Sequence, residues 1–282
     1  MKTYIKSLLL LLCIGITSCE DVIDVEVPTS KTRLVIEASL DWQKGTTGNN
    51  QTVKLSTTKP YFENTINTSV TGASVKVTNN NSSAEYVFAD QNDGTYTITN
   101  FVPVINDSYT LEVVYNNETY KATETLKSVS PIKRVEQSLE GGFDEEVLDV
   151  SMFWDDPADE VNFYLIKYVD DVEMFPIFED FPDEFVNGNE LDTFFERTND
   201  DDDDEKGEYK PGDVVEFTLY GVSERYNNYM SLLIEQYDSA GDPFSPVPGK
   251  LKGNCINTDS PEDYAFGYFR LSEFDTATYT FQ

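Results

Sequence analysis

YTLEVVYNNETYKA, residues 109–122, decides the fold. Tyr109, Leu111, Val113 and Tyr115 recur at every second position, the period of a strand that buries one face. Asn116-Asn117 interrupts the run with the residue type that best tolerates a left-handed turn. Tyr120 and Ala122 then resume the alternation, so the stretch reads as a β-hairpin.

Further strand signals lie on both sides of it. Toward the N-terminus, residues 35–40, 53–57, 73–78, 86–89 and 96–101 carry short apolar or alternating runs. Polar Gly/Asn segments separate them, and Asp93-Gly94 is a strong hairpin turn. About seven short strands at close spacing predict an antiparallel sandwich. Toward the C-terminus, residues 147–154 and 163–169 flank the turn Asp155-Asp156-Pro157-Ala158-Asp159. A strand over 214–222 follows Lys210-Pro211-Gly212-Asp213, and a closing strand spans 264–271. One helix is expected at about 224–239: Ser223 can cap it, Tyr226, Tyr229, Met230, Leu233 and Tyr237 keep a 3.6-residue period, and Gly241 can end it. The expectation is a mostly all-β chain. An immunoglobulin-like sandwich over 32–128 precedes a second β domain over 129–282, which holds an acidic, aromatic loop region at 170–212 and the single packed helix.

The amino terminus carries an address. Lys2 and Lys6 precede an apolar run over residues 8–16, and Ile16-Thr17-Ser18-Cys19 has the small-residue approach to a cysteine that marks a lipobox. The run is shorter than the roughly 20 residues a bilayer span requires. Residues 1–18 are therefore read as a lipoprotein signal, Cys19 as the lipidated residue, and 19–31 as an acidic tether; the alternative is an ordinary secretory signal with Cys19 incidental. Each buried acyl methylene contributes about 0.8 kcal/mol, so more than one chain anchors almost permanently. No later segment offers 18 continuous apolar residues.

Composition narrows the function classes. The 52 acidic side chains against 20 basic ones disfavour nucleic acid and anionic headgroups. Such a surface suits solubility, cations or a basic face on a partner. The 17 Tyr and 18 Phe support a packed core. Histidine is absent, which excludes Ser-His-Asp and Cys-His nucleophile arrangements and His-based zinc sites. Of three cysteines, Cys13 leaves with the signal and Cys19 takes lipid, so Cys255 stands alone and is read as buried and inert. Adjacent acids such as Asp155-Asp156 or Asp170-Asp171 are expected by chance in so acidic a chain.

Two local features remain. Asp200, Asp202, Asp204 and Asp213 are candidate calcium ligands, because hard oxygens at this density suit that ion. The nearest EF-hand register, Asp202, Asp204, Lys206, Gly207 and Asp213, departs from the pattern twice: Lys206 puts a cation at a ligand position, and Asp213 replaces the bidentate Glu. The competing reading is a solvated, self-repelling loop. Phe175, Phe178, Phe181 and Phe185 interleave with acids and prolines and are candidate partner anchors ringed by charge; the alternative folds Phe178, Phe181 and Phe185 back onto the sandwich. Trp42 and Trp154 are candidates for stacking on sugar, with a core role favoured for Trp154.

Several segments in order carry a family resemblance: Ala73-Ser74-Val75-Lys76-Val77, Asp93-Gly94-Thr95-Tyr96, Tyr109-Thr110-Leu111, Tyr120-Lys121-Ala122, Lys210-Pro211-Gly212-Asp213 and Pro243-Phe244-Ser245. The most specific are Lys252-Gly253-Asn254-Cys255 and Phe266-Gly267-Tyr268-Phe269. With the lipobox, these resemble a Bacteroidota outer-membrane lipoprotein family, domain of unknown function four-two-four-nine. The resemblance implies anchored proteins often encoded beside TonB-dependent receptors, and it brings no catalytic residues. The N-terminal half also resembles immunoglobulin-like or carboxypeptidase-regulatory-like sandwiches, and the 147–169 pair resembles fibronectin type III strands. Glu20-Asp21 resembles the acidic signal for surface export, although it directly follows the cysteine, where that run often starts one residue later. The expected function is a non-catalytic, surface-exposed binding or accessory lipoprotein of a TonB-dependent uptake system, held to the outer membrane through Cys19 and needing no cofactor beyond the candidate calcium. The alternatives are a glycan-binding or adhesin-like module and a carboxylate-based hydrolase.

Overall fold

The hairpin that opened the argument forms as read. β6 (Ser108–Tyr115) and β7 (Glu118–Thr125) pair antiparallel, with Val113 opposite Tyr120 and Leu111 opposite Ala122. Asn116 and Asn117 hold φ of 52° and 62°, the geometry of a type I′ turn. Tyr109, Leu111 and Val113 face inward and are fully buried.

The computed structural model describes residues 30–63, 65–143, 146–171, 174–182, 188–197, 207–239 and 249–282. The chain divides into two units, Met1–Lys31 with Pro60–Thr65, and Thr32–Lys59 with Ile66–Gln282. In the first, the Tyr61 and Phe62 rings meet edge to face at 5.1 Å. Everything that follows concerns the second.

That unit is predominantly β. β1 (Leu34–Gln43), β2 (Gln51–Thr57), β5 (Thr95–Ile98) and β4 (Glu85–Asp90) form one wall of the first sandwich; β3 (Ser74–Asn79), β6 and β7 form the other. β4 turns the corner between them: Phe88 pairs with Val75 of β3, and the next residue, Ala89, pairs with Thr97 of β5. A two-residue strand, β14 (Ile256–Asn257), closes the far edge against β7. The core between the walls holds Ile36, Val53, Leu55, Tyr96 and the inward face of β6.

The second sandwich has a three-stranded sheet, β12 (Glu190–Glu196), β9 (Asp149–Asp155) and β8 (Ile132–Ser138), facing β11 (Ile177–Pro182), β10 (Phe163–Asp170), β13 (Val214–Gly221) and the end of β15 (Phe266–Thr280). This 3+4 arrangement of antiparallel strands is an immunoglobulin-like sandwich. Val150, Met152, Trp154, Tyr164, Ile166, Phe217 and Leu219 fill its core.

β15 joins the two sandwiches. Phe266–Phe274 runs parallel to β1, and from Phe274 to Thr280 the same strand runs antiparallel to β13. Residues 268–273 are all buried, while 274–280 are mostly half-exposed and polar, because β1 ends at Gln43 and leaves that flank open. The expected end at 271 is therefore short by nine residues. β8, β11, β12 and β14 were not expected at all, and two of them lie in the region read as loop.

The helix, α1 (Glu224–Asp238), starts where expected: Ser223 Oγ accepts from Tyr226 N at 3.2 Å. It ends at Ser239, and Gly241 lies outside the described residues. Tyr226 and Met230 pack on Leu165 and Tyr268, on the outer face of the β10–β13–β15 sheet. The stripe read as core stops there: Leu233 is 40% and Tyr237 72% exposed, since only the residues that reach this sheet face are covered.

Candidate functional site at the open side of the second sandwich

β11 forms because Ile177-Phe178-Glu179-Asp180-Phe181 pairs antiparallel with β10, Ile177 opposite Tyr168 and Phe181 opposite Tyr164. Alternation then sorts its side chains. Phe181 turns inward, its ring 5.3 Å from that of the fully buried Trp154 and nearly perpendicular to it. Glu179 also turns inward, accepts from Thr193 Oγ1 at 2.6 Å, and is pushed above the usual carboxyl range by burial. This bond ties β11 to β12, so the edges of both sheets meet on one side. Phe178 and Asp180 face the α1 side, where Asp180 meets Asn227 Nδ2 at 3.5 Å.

Of the four aromatic anchors read from the sequence, Phe175 is 65% and Phe178 37% exposed, joined by exposed Met174 and Ile177. Phe181 belongs to the core instead, for the alternation reason just given. Phe185 lies outside the described residues.

Behind this edge sits a buried ionic cluster. Arg197, just past β12, donates from Nε to Asp170 at 3.0 Å, from Nη1 to Asp213 at 3.2 Å and from Nη2 to Asp171 at 3.2 Å. Its guanidinium lies 4.3 Å over the Tyr209 ring. The Tyr168 and Tyr209 hydroxyls hydrogen-bond to each other, and Tyr168 stacks on Phe195 at 4.2 Å. Burial raises both phenols, Tyr209 to about 12 and Tyr168 further. Both stay protonated at neutral pH, and the guanidinium is already shared among three carboxylates. The cluster is a pin holding β10, the end of β12 and the approach to β13 together.

The calcium reading meets this cluster at Asp213. Its Oδ2 accepts from Arg197 and from Lys210 N at 3.2 Å, so a metal ion there would displace a guanidinium. Asp200, Asp202 and Asp204 lie outside the described residues, as does Cys19. Among the described residues no group of three acidic or sulfur side chains is arranged to hold a metal ion.

Arg197 is not among the residues predicted from sequence; a single cation between Glu196 and the acidic run was the available signal. Three further buried networks were also missed. Arg270 of β15 bonds Asp41 at 2.9 Å, Ser39 and Ser272, and lies over Tyr220 and Tyr226. Glu124 receives Arg225, Asn254 and Tyr268. Glu273 receives Lys44 and Val129 N. Cys255 is buried, its thiol pushed up to about 12 by desolvation. Trp42 closes the β1–β2 turn, donating from Nε1 to Thr46 O at 2.9 Å. A cleft of about 440 Å³ lies beside Lys127, Ser128, Phe163 and Glu224, and no residue predicted from sequence lines it.

Comparison with known structures returns matches at low similarity. A two fibronectin type-III domain segment from chicken tenascin is 11% identical, covering 60% of this chain and 83% of that one at a TM-score of 0.21. A DUF4785 family protein from Legionella pneumophila is 11% identical, covering 68% and 53% at 0.27. The fold assignment rests on strand order, not on these scores. No curated protein matches the sequence. The family model described as "Domain of unknown function (DUF4249)" matches residues 20–278, and the chain belongs to that family.

Proposed function

We propose that this protein is a non-catalytic, lipid-anchored binding or accessory component of a TonB-dependent uptake system, displayed on the bacterial outer membrane. One observation carries the binding role: Met174, Phe175, Ile177 and Phe178 stand exposed along a sheet edge, while the strongly shifted titratable groups beside them are locked into internal bonds. Exposed apolar clusters rimmed by charge mark interaction sites, and shifted groups in closed networks mark structure rather than chemistry. The lipobox ending at Cys19 and the membership of the family support the address.

The test is detergent extraction of outer membranes bearing the tagged protein, followed by affinity purification and identification of what comes with it. Recovery of a TonB-dependent transporter in stoichiometric amount is the expected result; recovery of the tagged chain with no transporter contradicts the reading.

A further inference from the structure

β11 is the terminal strand of its sheet, and beyond it no strand pairs among the described residues. Free edges present unpaired N–H and C=O groups and recruit further strands, so native proteins shorten them, place proline on them or charge them. β11 has all three devices, yet Ile177 and Phe178 at its start and Phe181 near its end keep it apolar on both sides of Glu179-Asp180. Pro176 and Pro182 bracket it, leaving Ile177–Phe181 as the stretch that can pair. Ile177 and Phe178 project from that stretch, with Phe175 and Met174 just before it.

We propose that the β11 edge accepts an extended strand from a partner protein, a segment that alternates apolar and basic residues. This deepens the accessory role proposed above and rests on it for the partner's identity, not for the mode of binding. Backbone pairing along Ile177–Phe181 supplies the register, and Phe175 and Phe178 cover the apolar side chains of the incoming strand.

Charge selects the occupant. Asp171 and Asp192 are exposed beside this side, and Asp180 lies within the strand itself, on the face that Phe178 shares. A basic strand meets opposite charges at each of these points. A second copy of the chain does not: it brings the same acids, Asp171, Asp180 and Asp192, to the shared edge, between chains of formal charge −32 each. Like charges directly opposed destabilise a strand pair.

The experiment uses the full lipidated chain in detergent and three probes: an acetylated seven-residue peptide alternating lysine and valine, the same composition in two blocks, and the alternating peptide with N-methylated amides. Calorimetry at physiological salt is expected to show saturable binding of the first probe, at least tenfold weaker binding of the other two, and at least tenfold weaker binding of the first by the double variant Phe175→Ser/Phe178→Ser with its melting temperature unchanged. Equal binding of the blocked or methylated peptide overturns the proposal, because only charge is then being read. Undiminished binding by the double variant overturns it too. Sedimentation that shows a dimer abolished by the same variant assigns the edge to a second copy, and likewise overturns it. A failed transporter purification leaves these outcomes untouched and counts only against the uptake role.

Discussion

Asn254 acts as a side-chain strand for Phe269. Its Nδ2 donates to Phe269 O at 2.7 Å, and Phe269 N donates to its Oδ1 at 2.9 Å. The two segments that carry the family resemblance most specifically therefore bind each other. One residue earlier the backbones touch: a Cβ placed on Gly253 would sit 1.3 Å from Gly267 O. These two segments thus form one physical contact, the docking of 252–255 on the start of β15.

Replacing Asn254 with Leu removes both amide bonds and strands the Phe269 N–H and C=O in a half-buried site. Each unmet group costs about 1–3 kcal/mol. A loss of about 2–4 kcal/mol is expected from urea unfolding, with the far-ultraviolet spectrum of the folded state retained.

Gly253 and Gly212 separate space from conformation. Gly253→Ala forces a methyl into backbone and is expected to cost at least about 3 kcal/mol, at the upper end of overpacking effects. Gly212 holds φ of 99° with open space around it, so Gly212→Ala meets only the left-handed penalty of about 1–2 kcal/mol. Melting temperatures of the pair should rank in that order.

Arg197→Met leaves Asp170 and Asp213 buried beside a neutral side chain. Removing one partner of a buried ionic cluster costs about 3–5 kcal/mol. Urea midpoints of the variant and wild type at neutral pH should show that loss.

Burial raises the Glu179 carboxyl above its ordinary pKa, so ionising it on the way to neutral pH lowers stability. Glu179→Gln keeps an acceptor for Thr193 Oγ1. It is expected to be neutral or slightly weaker at low pH and more stable than wild type at pH 7, read by thermal unfolding at both.

How much of this was legible follows the alternation of side chains. β6 and β7 were readable because Tyr109, Leu111 and Val113 bury one face against a solvated other. β8 was not: Ile132, Val135 and their neighbours are all half-buried or exposed, so no two-residue period survives. β12 does alternate, with Leu191 and Thr193 buried, but its acids and the flanking run masked a five-residue signal. β11 hid between two prolines. Of the candidate anchors, exposure of Phe175 and Phe178 could be suspected from their acidic neighbours. The inward turn of Phe181 depends on pairing register with β10, which no local pattern encodes. The ionic cluster at Arg197 joins residues far apart in sequence, and its carboxylates look like any others in so acidic a chain.

The proposed function requires a lipid-tethered body whose folded part is free to bind. It is tested most directly by mass spectrometry of the amino-terminal peptide from protein extracted from outer membranes. The predicted result is a peptide that begins at Cys19 and carries a diacylglyceryl group on sulfur. A peptide beginning at any other residue, or an unacylated Cys19, would contradict it.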